Sequence, residues 1–87
     1  MHQCDCCDYY SLAEKGACLV CPVCFWEDDS LVFFELGLDL ESDLNNDLTL
    51  RKARGNFQFF GAYENKFISL VVCKKERDSL RFEARNT

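Results

Sequence analysis

One histidine, one proline and four glycines are all that these 87 residues contain of three residue types on which many sites depend. The histidine is His2, at the end of the chain, so no Ser/His/Asp set can be assembled around a well-held imidazole. The glycines do not form a phosphate-cradling loop. Catalysis is therefore the poorest fit, and the expectation is a protein that is not an enzyme. The single proline, Pro22, leaves no linker, and no repeat or low-complexity tract divides the chain, so residues 1–87 read as one domain. Long apolar runs are missing too: Leu70 to Cys73 falls far short of the ~20 residues that cross a bilayer. The start, Met1-His2-Gln3-Cys4, has neither a basic nor an apolar leader region, so the expected setting is cytoplasmic, without a membrane partner, and with thiols reduced.

Cysteine and aromatic residues are abundant by contrast. Seven Cys, 8 Phe, 3 Tyr and 1 Trp accompany a hydrophobic content of 48%, which belongs to a folded chain. Burial alone stabilises so short a chain weakly, and a staple is expected. An odd number of cysteines in a reducing setting favours a metal over disulfides. Cys4-x-x-Cys7 and Cys21-x-x-Cys24 form two C-x2-C pairs with thirteen residues between them. Tetrahedral zinc with Zn–S near ~2.3 Å needs sulfurs roughly 3.7 Å apart. A tight turn puts side chains i and i+3 at that separation and leaves backbone N–H groups free to donate to the thiolates. The expectation is one structural zinc on Cys4, Cys7, Cys21 and Cys24, a closed site with no open position for catalysis. Redox cycling at Cys21-Pro22-Val23-Cys24 is the competing chemistry, although such a pair normally opens a helix in a βαβ unit. Cys6 offers a C-x-C alternative to Cys4 or Cys7; otherwise it is a spare thiol exposed on the knuckle. Cys18 and Cys73 read as small packing residues.

Coarse periodicity predicts a small α+β fold: a zinc-ribbon-like β-hairpin carrying the two knuckles, with one or two helices packed on it. Within residues 1–29, Tyr9–Leu12 and Ala17–Val20 are the predicted hairpin strands, joined by a turn at Glu14-Lys15-Gly16. Over Val32–Glu41 apolar and polar residues alternate as in a strand with an acidic outer face, weakened at Gly37, inside a variable segment 30–47. Thr49 is a candidate N-cap and Gly61 a candidate C-cap for a helix carrying Leu50, Ala53, Phe57 and Phe60 on one face. Arg51, Lys52 and Arg54 crowd its first turns against the helix dipole, with Asp43 or Asp47 as candidate counter-charges. Glu64–Val72 fits a helix or a strand and completes a helical part over 49–72. The charged tail, 74–87, is frayed or a short helix.

Charge divides the chain. Residues 1–48 hold eleven acids against Lys15 alone, and residues 49–87 hold nine bases against four acids. Pairing between the halves is one reading; an acidic surface that receives a basic partner is the other. Trp26, Glu27, Asp28, Asp29, Glu35, Asp39 and Glu41 are the candidate partner-binding residues, Trp26 as aromatic anchor or, alternatively, as packing against the hairpin. The three adjacent acids after Trp26 read as a solvated edge.

"CDCCDYYSL" (4–12), "CPVCFWEDD" (21–29) and "TLRKARGNFQFFGA" (49–62) resemble the cysteine-rich CPCC family of small bacterial proteins. That resemblance implies a small zinc-ribbon protein of unassigned activity, and some members resemble immunity partners of polymorphic toxins. It implies a protein partner, a basic nuclease-type toxin domain that an acidic inhibitor would neutralise. A nucleic-acid-binding zinc ribbon using Arg51, Lys52, Arg54, Lys74, Lys75, Arg77, Arg81 and Arg85 is the alternative. Two departures from the family pattern stand out. Asp5 replaces the usual Pro and Asp8 the usual Gly, which implies a looser first knuckle or loss of the metal. Residues 30–47 replace a polar, Gly-rich connection, either as a binding surface or as a core strand.

Overall fold

The aromatic stretch after the first cysteines does form a strand, but its partner precedes the cluster. The computed structural model describes residues 1–86. β1 (His2–Gln3) pairs antiparallel with β2 (Tyr10–Leu12), with a register shift between His2 and Gln3, so the first knuckle is the loop of this hairpin. Ala17–Val20 forms no strand; Val20 makes a single bridge to Glu27, closing a second miniature hairpin around the second knuckle. Each C-x2-C pair thus brings its own pairing partners. Lys15 and Gly16 then serve a different purpose from a hairpin turn, because both hydrogen-bond to the Asp28 carboxylate.

β3 (Glu41–Ser42) and β4 (Leu48–Thr49) make a second small antiparallel hairpin that leads into α1 (Leu50–Phe60). The predicted helix boundaries hold. Thr49 Oγ1 accepts from the Lys52 N–H at 3.1 Å, and Gly61, at φ 88°, donates its N–H to Phe57 O at 2.9 Å. Leu50, Ala53 and Phe57 are buried as the spacing predicts, but Arg54 is buried with them and Phe60 is half out. Asp43 and Asp47 do not counter the basic first turns: Arg51 pairs with Asp39 at 2.8 Å and Arg54 with Asp8 at 2.7 Å.

The predicted strand over Val32–Glu41 is replaced by consecutive turns, with only Glu41 kept in β3. Val32 N–H donates to Asp29 O, Gly37 N–H to Phe33 O and Leu40 N–H to Gly37 O, so local carbonyls satisfy the backbone that a sheet neighbour would have served. Gly37 is required here, because a Cβ would come within 2.8 Å of Phe33 N. Val32 is buried while Leu36 is 81% exposed, so the alternating side chains do not share one buried face. Glu64–Val72 holds only a 3-10 turn at Asn65–Phe67. In the tail, α2 (Lys74–Asp78) is followed by an extended segment lying back against β2, where Phe82 bridges Tyr9.

The core gathers Cys4, Cys6, Cys7, Cys21 and Cys24 with Leu12, Val23, Trp26, Val32, Leu50, Ala53, Phe57 and Tyr63. Trp26 meets Tyr63 edge-on at 5.5 Å, and Phe25 packs on Phe67 at 4.7 Å. Among the described residues two 2-stranded sheets, the Val20–Glu27 bridge and two α-helices therefore surround a cysteine cluster in a small α+β architecture.

Candidate metal centre

Both knuckles follow the same backbone path. In the first, Cys4 N–H donates to Tyr9 O at 2.8 Å and Asp8 N–H to Cys4 O at 3.0 Å. In the second, Cys21 N–H donates to Trp26 O at 2.9 Å and Phe25 N–H to Cys21 O at 2.8 Å. The residue after each second cysteine is left-handed, Asp8 at φ 69° and Phe25 at φ 72°. That conformation explains why glycine suits the position of Asp8: a side chain there is strained, and aspartate is among the few that tolerate it. The reversal aims both cysteines of a pair to the same side.

The structure brings Cys4, Cys7, Cys21 and Cys24 together, all buried, with their sulfurs within 4.8 Å of one another. Cys4 Sγ lies 3.6 Å from Cys24 Sγ, and Cys7 Sγ lies 3.7 Å from Cys21 Sγ. These are the edges of a tetrahedron around a metal with bonds near ~2.3 Å, and too long for a disulfide of ~2.05 Å. All seven cysteines are free thiols. Burial pushes the Cys7 and Cys24 thiols well up, whereas hydrogen bonds from Cys24, Cys4 and Cys7 hold Cys21 well down. Ser11 Oγ, 3.0 Å from Cys21 Sγ, and the Val23 N–H, 3.3 Å away, strengthen that preference. Four buried thiolates this close together need a cation among them. The donor set fits a closed four-sulfur metal site that would stabilise the fold and offer no open coordination position.

Around the first knuckle the predicted looseness is absent. Asp8 accepts from Arg54 Nη1 at 2.7 Å, Arg54 Nη2 at 2.9 Å, Arg85 Nε at 2.9 Å and the Arg85 N–H at 2.8 Å. Burial alone would raise its carboxyl, but the two guanidinium groups hold it below the usual carboxylate range. Asp5 accepts from Lys15 at 2.8 Å and Arg85 at 3.3 Å. Knuckle carbonyls are capped as well: Cys4 O by Arg85 Nη2 at 2.9 Å, and Asp5 O and Cys6 O by Arg54 Nη1 at 2.7 and 3.4 Å. The carboxylates of Asp5 and Asp8 thus tie the knuckle to α1 and to the tail.

The remaining candidate residues divide sharply. Cys6 is buried rather than exposed, while Cys18 and Cys73 are exposed rather than packed. Trp26 is fully buried and is no surface anchor; it packs in the core. Asp28 and Asp29 are buried too, Asp28 holding Lys15 and the Gly16 N–H, Asp29 accepting from Ser42 and the Leu31 N–H. They are internal struts and not a solvated edge. Glu27 is half-buried, its backbone paired with the Asn45 side chain, whereas Glu35, Asp39 and Glu41 are exposed. Sequence reasoning missed Ser11, Lys15, Arg54 and Arg85 around the knuckles. Only Arg54 left a signal, as a charge in phase with the apolar stripe Leu50, Ala53, Phe57.

Among the described residues no helix is long and apolar enough to cross a membrane. No curated protein and no solved structure matches the chain. The sequence model of one family, described as Cysteine-rich CPCC, matches residues 2–79, a span that includes both knuckles, α1 and α2, and the chain belongs to that family.

Proposed function

We propose that this is a zinc-stapled, non-enzymatic protein-interaction module, an acidic immunity-type protein whose partner is a basic, nuclease-type toxin domain. The observation that carries the reading is the surface of residues 31–44. Leu31, Leu36, Leu40 and Leu44 are 77%, 81%, 53% and 43% exposed, interleaved with exposed Glu35, Asp39, Glu41 and Asp43. Apolar side chains held out by turns and interleaved with carboxylates offer both the apolar area and the charge that a protein interface uses. A nuclease presents cations to bind phosphates, so an acidic surface competes for that face and speeds encounter. Zinc is the metal that suits four buried thiolates, and its closed shell assigns it a structural role. The nucleic-acid reading is weaker, because Arg51, Arg54, Lys74 and Arg85 are engaged by Asp39, Asp8, Asp78 and Asp5.

Two measurements test this. Native mass spectrometry should show one zinc, lost in Cys4→Ser and Cys21→Ser and kept in Cys18→Ser and Cys73→Ser. Binding to a panel of basic nuclease-toxin domains should weaken in the triple variant Glu35→Lys, Asp39→Lys, Glu41→Lys, chiefly through slower association. Unchanged association kinetics in that variant would remove the acidic-surface reading.

A further inference from the structure

The two knuckles share a backbone path but differ in what covers them. The second is held from residues inside the family-matched span, Tyr63 N–H to Cys24 O at 2.8 Å and Val72 N–H to Pro22 O at 2.9 Å. The first is crossed by residues 80–86, which lie beyond that span. Tyr10 N–H donates to Arg81 O at 2.8 Å, Gln3 Nε2 to Glu83 O at 2.7 Å, and Glu83 N–H to Asp8 O at 3.3 Å. The Phe82 ring lies 4.7 Å from that of Tyr9, and Arg85 closes the crossing on Asp5, Asp8 and Cys4 O. Arg81, Phe82, Glu83 and Ala84 are nonetheless exposed, so the segment is held by hydrogen bonds and ring contacts, Arg81 over Tyr10 and Arg85 over Phe34 included, with only Leu80 packed on the core. Segments of that kind open well before the whole fold does.

Charge makes such an opening consequential. A divalent cation on four thiolates keeps two negative charges, and Asp5 and Asp8 flank the first two ligands. Arg85 touches both carboxylates and a ligand carbonyl, and it leaves whenever the segment lifts. We infer that residues 80–86 form a strap that sets the rate at which the centre gives up its metal, with Arg85 as the positioning residue. Release begins at the Cys4–Cys7 half, where strap opening removes a counter-charge and admits water or a competing ligand to the sulfurs. The second knuckle is held by the backbone N–H groups of Tyr63 and Val72, which carry no counter-charge to lose. This inference rests on the four-cysteine metal reading.

The test follows zinc transfer from the full zinc-loaded chain to a colorimetric chelator. Zinc content of the wild-type chain is measured first, and its absence would sink both the metal reading and the strap. With zinc present, Arg85→Ala should speed release about ten- to a hundredfold, the usual consequence of losing a group that supports metal ligands. Phe82→Ala should speed it less, and Arg85→Lys should fall between Ala and wild type. Asn56→Ala, which removes a hydrogen bond to the carbonyl of Tyr63, a residue that holds the second knuckle and not the strap, controls for general loss of stability. Substitution of Co2+ gives a second readout, since the thiolate-to-metal absorption should be unchanged in Arg85→Lys while its decay under chelator quickens. Equal release rates for wild type and Arg85→Ala overturn the strap while leaving the metal site intact. Acceleration by Asn56→Ala that matches Arg85→Ala at equal thermal stability overturns it as well.

Discussion

Asp8 holds φ 69° with its carboxylate buried, and two arginines make that tolerable. Left-handed backbone costs a non-glycine residue about 1–2 kcal/mol, and a buried unpaired carboxylate costs more. Fourfold hydrogen bonding from Arg54 and Arg85 offsets both. Arg54→Ala should therefore destabilise the chain by about 3 kcal/mol, the low end for breaking a buried ion pair because Arg85 remains; chemical denaturation of the metal-loaded chain checks this. Tyr63 provides a pH signature. Burial, followed by the charge of nearby Glu64 and Glu27, pushes its hydroxyl up to about 12, whereas an unfolded tyrosine ionises near about 10. Between those values the unfolded state loses its proton first, so the native state binds more protons and stability falls as pH rises. Stability from this group is intact below pH about 10 and lost as pH climbs through about 12. A denaturation midpoint series over that window should decline, and Tyr63→Phe should flatten the decline.

Among the elements, α1 was legible because its signals are local. Thr49, the Leu50-Ala53-Phe57 spacing and Gly61 each act within one turn, and each was found where predicted. The stretch 32–41 was misread because alternation describes two faces but cannot supply a neighbouring strand. Without one, Gly37 permits turns that satisfy the same backbone groups. A paired substitution separates the two glycine environments. Gly37→Ala should lower the melting temperature, since its Cβ meets Phe33 N at 2.8 Å, while Gly55→Ala, in open space within α1, should raise stability by about 0.5–1 kcal/mol. Thermal melts of both variants decide it, and equal melting temperatures would contradict the turn assignment. The hairpin error has a similar origin. Both halves of the predicted pair had strand character, yet β2 found β1, and Val20 found Glu27 across its own knuckle.

For the whole molecule the cysteine cluster sits where a larger protein would have an apolar core. Cys4, Cys6, Cys7, Cys21 and Cys24 occupy its centre, and α1, β2 and Trp26 pack around them. Structural zinc in small domains contributes about 10–16 kcal/mol of apparent binding energy, which is folding energy. Chelation should accordingly abolish the cooperative thermal transition and most of the helical circular dichroism, and added Zn2+ should restore both; retention of a native melt in chelator would show that packing alone suffices. What the amino-acid order determined by itself is the pair of C-x2-C turns, their i and i+3 geometry and the capped helix, all matters of neighbours within a few residues. Tertiary structure alone decided that Trp26, Asp28 and Asp29 go inside, that Cys6 is buried while Cys18 and Cys73 are not, and that Arg54 and Arg85 close over the first knuckle. Those outcomes depend on which distant charges and backbone groups remain to be satisfied once the two knuckles meet, and Asp8 and Arg85, separated by 77 positions, become neighbours only then.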